Sequence, residues 1–194
     1  MKLSRQMYYL MDEYLGDFLD YVPPDLNHLE VYSHRLVTII LEIGPEVLSS
    51  FDIALNIIKD RSRWFSKVVA EDSEDLWKKE DALKKRKRSL TFLDYYRFLD
   101  KHSMPKLSSA TVVFEDLDAY MMPFEKSNPE WWENYNLLRH DKYTNLKTAT
   151  LRTTLNACGA LFWLVYQNQS LAGFESDLFK ISDWGDLTSS LKKL

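Results

Sequence analysis

Glycine is scarce, with five residues in 194, and proline numbers six. So little turn punctuation excludes an all-β protein of many short strands and points to long helices with few breaks. Cysteine is present once, as Cys158, so no intramolecular disulfide can form and a reducing compartment is expected. His28, His34 and His102 are scattered, without a spacing of histidines or carboxylates that gathers metal ligands on one helix face, and the glycines lie too far apart for a phosphate loop. Neither metal nor cofactor is expected. The longest apolar run, Ala157 to Tyr166, is about half of the ~20 residues a membrane span requires. Asp12, Glu13, Asp17 and Asp20 interrupt the first stretch, which therefore lacks the apolar centre of a secretory signal. A cytoplasmic protein with no membrane partner is expected.

What is present is apolar and aromatic. The apolar share is 45%, and there are six Trp, eleven Tyr and ten Phe, enough for one domain whose core needs no staples. A formal charge of −4 argues against coating nucleic acid through bulk positive field, while a local basic patch stays compatible with it. Met7, Met11, Tyr14, Phe18 and Tyr21 recur at helical spacing and predict a helix near 3–21, ended by Pro23-Pro24. Asp25 can cap a second helix near 26–43, whose apolar face holds Leu29, Tyr32, Leu36, Ile39, Ile40 and Ile43 and which Gly44-Pro45 closes. Pro45 can open a third near 46–66. The charged section 70–88 reads as an exposed helix or a mobile loop, and a short helix follows near 90–101. Between 103 and 127 the chain turns irregular or forms a hairpin from 110–114 and 120–124. A long helix over 129–167, capped by Asn128, completes an all-α bundle spanning 1–170. The remainder, 171–194, reads as a tail that packs locally through Phe174, Phe179 and Trp184.

The stretch from Trp131 to Tyr166 combines an apolar stripe with a polar knot. Leu151, Leu155, Cys158, Phe162 and Val165 fall on one helix side, and Cys158 reads as a core side chain. The knot is Asn136, Arg139, His140, Asp141, Lys142 and Asn145. Arg139 and His140 supply two roles that metal-free cleavage of an RNA phosphodiester needs: an imidazole to move the 2′-hydroxyl proton and a planar cation for the charge on phosphorus. Neighbours on a helix point roughly 100° apart, so convergence requires the helix to end there or a second copy to complete the site. Alternatively, Asn136, His140 and Asp141 cap helix ends and Arg139 pairs with Glu42 or Glu133. The run Lys84, Lys85, Arg86, Lys87 and Arg88 either guides an RNA backbone or is a solvated helix end. Trp131 and Trp132 can stack on bases or fill the core. Glu115, Asp116 and Asp118 can bind a hard cation or lie solvated in a turn.

The segment YNLLRHD, its aromatic opening at Trp131-Trp132, and the following A-x-L-x-x-x-L-N-A-x-x-A-L-F helix resemble a prokaryotic branch of the HEPN superfamily, as does YSHRLVTIILEIGPEV from Tyr32. Together these cover about a third of the chain. The resemblance implies an up-and-down helical bundle that commonly forms a homodimer and, in active members, a metal-independent endoribonuclease of toxin or phage-defence systems, held by an antitoxin or another protein partner. In those enzymes an arginine is followed after four to six residues by histidine. Here His140 follows Arg139 directly and Tyr143 to Leu146 contains no histidine. The expectation is thus an RNA-acting protein with Arg139 and His140 at its centre, supported by Asn136, Asp141 and Asn145. The alternative is a non-catalytic homodimeric interaction module.

Overall fold

The computed structural model describes residues 2–62, 67–85, 90–102, 106–117, 119–168, 175–181 and 192–193. The protein is mostly helical, with α1 (Lys2–Leu19), α2 (His34–Ser62), α3 (Lys67–Lys85), α4 (Phe92–His102), α5 (Glu130–His140) and α6 (Leu151–Asn168). The expected insertion between 103 and 127 contributes the first two strands of a small sheet, which two later segments enlarge. Strands β1 (Val112–Phe114) and β2 (Ala119–Met121) form the anticipated hairpin, antiparallel with Val112 opposite Met121. Far along the chain, β3 (Phe179–Ile181) pairs antiparallel with β1, Phe179 opposite Phe114, and β4 (Lys192–Lys193) lies parallel to β2. Residues 179–181 are therefore bound into the sheet rather than packed only on their neighbours, whereas Phe174 and Trp184 lie outside the described residues.

The organising helix is α6. Its continuous run from Ala157 to Val165 is buried on every side, which for a helix means a central position rather than a surface one. Leu151, Leu155, Cys158, Phe162 and Val165, the stripe read from the sequence, are no more than 2% exposed. α2 packs along α6, with α1 and α5 against both. The sheet leans on α6 at Gly159, where an added Cβ would come 2.9 Å from the Met121 sulfur. Among the described residues no helix is long and apolar enough to cross a membrane.

Several expected boundaries change. α2 runs unbroken from His34 to Ser62 with Pro45 inside it, so Gly44-Pro45 does not close a helix; Asp25 caps only the single 3-10 turn Leu26–His28, and Ser33 Oγ accepts from the Leu36 amide at the true start. An interior proline costs about 3 kcal/mol. Burying Leu36, Ile39, Ile40, Ile43, Val47, Phe51 and Leu55, all within 3% exposure, contributes roughly 1.5–3 kcal/mol apiece and outweighs it.

The helix expected over 129–167 is two helices. Asp141 adopts an extended backbone (φ −152°, ψ 94°) and ends α5. Thr150 starts α6 afresh, its hydroxyl oxygen accepting from the Thr153 amide at 3.1 Å, while the Leu151 and Arg152 amides donate to the carbonyls of Val31 and Leu29. At the other end of α5, Pro129 occupies the cap position and Asn128 instead donates its side-chain amide to Glu133.

α1 is rotated slightly from expectation. Tyr8, Met11, Leu15, Phe18 and Leu19 are buried, and Tyr14 and Tyr21 are exposed. Both stripes contain Met11 and Phe18, so periodicity alone does not separate them. Of the section 70–88 expected as exposed helix or mobile loop, residues up to Lys85 belong to helix α3, where Lys78 pairs with Glu74 and Lys79 reaches Asp94 of α4; 86–88 lie outside the described residues.

Candidate functional site

The corner between α5 and α6 holds most of the predicted polar residues, and its construction assigns them two kinds of work. The Asp141 carboxylate accepts from the amides of Tyr143 and Thr144, each at 3.1 Å, and from the Thr144 hydroxyl at 2.6 Å. The Thr144 hydroxyl and amide beside it hold its carboxyl below the usual carboxylate range. Asn145 donates its side-chain amide to the carbonyls of Leu137 at 3.1 Å and Asp141 at 2.8 Å, closing the C-terminus of α5. Asn136 bonds back to the Trp132 carbonyl at 3.0 Å. Asn136, Asp141 and Asn145 are thus committed to the helix and its turn.

Arg139 and His140 are left facing water in the last turn of α5. The guanidinium lies 5.6 Å from the centre of the Tyr135 ring, so among the described residues its partner is an aromatic face rather than Glu42 or Glu133. Tyr135 is itself clamped, 3% exposed and seated over Gly44 of α2 so closely that an added Cβ there would fall 2.2 Å from the ring. Beyond the turn, the Lys142 ammonium sits 5.3 Å from the Tyr143 ring centre, and Tyr143 remains 74% exposed. Leu137 is 46% exposed on the preceding turn, and Lys147 is also exposed. From Leu137 to Lys147 the cations Arg139, Lys142 and Lys147 face one carboxylate, Asp141, a local balance of 3 − 1 = +2 in a chain of −4.

Other predicted residues go elsewhere. Trp131 and Trp132 are buried, Trp131 donating its indole N–H to the Pro123 carbonyl at 2.8 Å, so neither offers a face to a base. Lys84 pairs with Glu80 at the end of α3, where Lys85 also lies; Arg86, Lys87 and Arg88 fall outside the described residues. Glu115 pairs with Lys180 of β3, and Asp118 lies outside the described residues. Burial pushes the Cys158 thiol up, as suits an inert core side chain.

Two features escape the sequence. On α1, Asp12 accepts from the Tyr8 hydroxyl at 3.0 Å, from the Ser176 hydroxyl at 3.1 Å and from the Asp177 amide at 3.3 Å, while Ser176 accepts from the amides of Leu178 and Phe179. This knot ties the approach to β3 onto α1. Beside it, a groove of about 600 Å³ is lined by Asp12, Glu13, Asp17, Asp20, Asp116 and Asp177. Among the described residues no three of His, Cys, Asp and Glu gather closely enough to hold a metal ion. The second feature is a cavity of about 240 Å³ between the 122–130 loop and α6, lined among others by Glu125, Lys126, Glu130 and Arg152, the last paired with Glu30. No signal within either local segment links residues 12 and 176, which meet only through the fold.

No protein family, curated protein or solved structure that was compared with the chain matches it.

Proposed function

We propose that the protein binds RNA through the α5–α6 corner, on a HEPN-like up-and-down helical bundle working in the cytoplasm. The observation that carries this reading is the exposure of Arg139, His140, Lys142 and Lys147 around one internally bonded turn that also presents Tyr143. Cations so placed neutralise backbone phosphates and release counterions, which makes binding weaken steeply with salt. The commitment of Asn136, Asp141 and Asn145 to the backbone favours binding over cleavage within one chain. Arg139 and His140 occupy successive helical positions and point apart. Cleavage by them would need a second copy of the corner in a homodimer.

The test is fluorescence anisotropy of a labelled RNA oligonucleotide across a salt series. The double variant Arg139→Ala, Lys142→Ala should lose about tenfold or more in affinity at low salt and flatten the salt slope by about two, with an unchanged melting temperature. Absence of RNA binding by the parent protein at low salt refutes the reading. The exposure of Leu137 and Tyr143 favours one second reading, a homodimer interface without catalysis; sedimentation should then show a dimer that Leu137→Glu dissociates.

A further inference from the structure

We infer that Tyr143 is a base-stacking platform and that the ligand of the corner is an unpaired, single-stranded segment. This rests on the RNA-binding reading and adds the class of nucleic acid and the residue that selects it. Tyr143 is the second most exposed large apolar side chain among those described, after Tyr21. Unlike an aromatic on a free loop, it has a fixed backbone: its own amide donates to the Asp141 carboxylate, which also takes the amide and hydroxyl of Thr144. Behind this, Asn145 locks the turn onto the end of α5 through two carbonyls, and Thr148 returns its hydroxyl to the Asn145 carbonyl at 2.8 Å. The ring is therefore held out into water on an ordered support, which lowers the ordering entropy lost when a flat partner stacks on it.

The surroundings choose the partner. Lys142 lies over one face of the ring, so a base stacks on the opposite face with positive charge close by for its phosphate, while Arg139 and Lys147 flank the same turn in sequence. Every base has a π-face, so stacking is tolerant of sequence, but a base in a duplex has that face covered by its neighbours. A cation-flanked single tyrosine thus discriminates unpaired from paired strands. Between Leu137 and Lys147 the segment has a net positive charge and a single carboxylate, the internally bonded Asp141, which favours a polyanion over a protein partner.

The experiment compares a single-stranded RNA with a duplex of equal length, by anisotropy and by the emission of a 2-aminopurine placed in the single strand. The expected result is quenched 2-aminopurine emission on binding. Tyr143→Ala and Tyr143→Leu should each lose about 5- to 100-fold in single-strand affinity, Tyr143→Phe should retain it, and none should alter the salt slope. Lys142→Ala, by contrast, should lower that slope by about one. If Tyr143→Ala binds the single strand as tightly as the parent while Lys142→Ala binds it more weakly, the stacking role is overturned and RNA binding stands. Equal affinity of the parent for duplex and single strand also overturns it. A parent that binds neither refutes the underlying reading. Leucine at 143 keeps the apolar bulk, so its loss of affinity separates stacking from a collapsed turn.

Discussion

Two glycines on different helices respond in opposite ways to an added methyl group. At Gly44 a Cβ would enter the Tyr135 ring, with ring carbons at 2.2, 2.4 and 2.5 Å, whereas at Gly16 nothing lies within 4 Å. Gly44→Ala should lower stability by about 1–3 kcal/mol, because the buried ring has nowhere to go. Gly16→Ala should raise it by up to about 1 kcal/mol through helix propensity alone. Thermal melts of both variants check the pair, and a stable Gly44→Ala protein would remove the clamp that holds Tyr135 beneath Arg139. In the sequence Gly44 stands before a proline and looks like a helix terminator. Its partner sits 91 positions away, at Tyr135, so the true reason for the missing side chain is invisible locally.

At the scale of the element, the instructive cases are α2 and the α5–α6 break. Pro45 is exposed and follows a glycine, and both facts favour a stop, yet apolar residues on either side of it, from Leu36 to Leu55, share one buried face. Burial over the whole face overrides one lost hydrogen bond. Pro45→Ala should then restore that bond without losing packing and stabilise the protein by about 1–3 kcal/mol, read as a higher urea midpoint. The α5–α6 break went the other way. The signals were present as an aspartate with a threonine three residues on, an asparagine, and a threonine three residues ahead of another. They were legible as a polar knot, and their shared purpose is to satisfy backbone groups at two helix ends. The same knot leaves Arg139 and His140 exposed and commits the side chains of Asn136, Asp141 and Asn145 to hydrogen bonds within the helix and its turn.

Across the whole molecule, α1 and the approach to β3 are joined by the Asp12 carboxylate together with the Tyr8 hydroxyl, which also bonds to Ser176 at 2.7 Å. Burial pushes the Asp12 carboxyl above its ordinary value of 3.8, and the hydrogen bonds from Tyr8, Ser176 and Asp177 offset this only in part. Tyr8 on its own helix, Asp177 before β3 and Cys158 of α6 are the other titratable groups bearing on the knot. A carboxyl raised on folding binds its proton more tightly in the native state. Its contribution to stability is therefore complete below the ordinary value and is lost as pH rises through the folded one. Urea midpoints measured between about pH 4 and pH 8 should show the parent losing ground to Asp12→Asn as pH increases. A difference between the two proteins that does not vary with pH would contradict the assignment.

The sequence by itself determined what depends on near neighbours: predominantly helical structure, the buried stripe of α6, the small hairpin, the charged exposure of α3 and the polar character of the corner after α5. These follow from periodicity and from hydrogen bonds spanning a few residues. Only the tertiary structure decided which face of α1 is buried, the passage of α2 through Pro45, the pairing of 179–181 with β1, and the union of Asp12 with Ser176. Each of those turns on groups far apart in the chain, whose meeting is set by the packing of all the helices around α6 and not by any local preference.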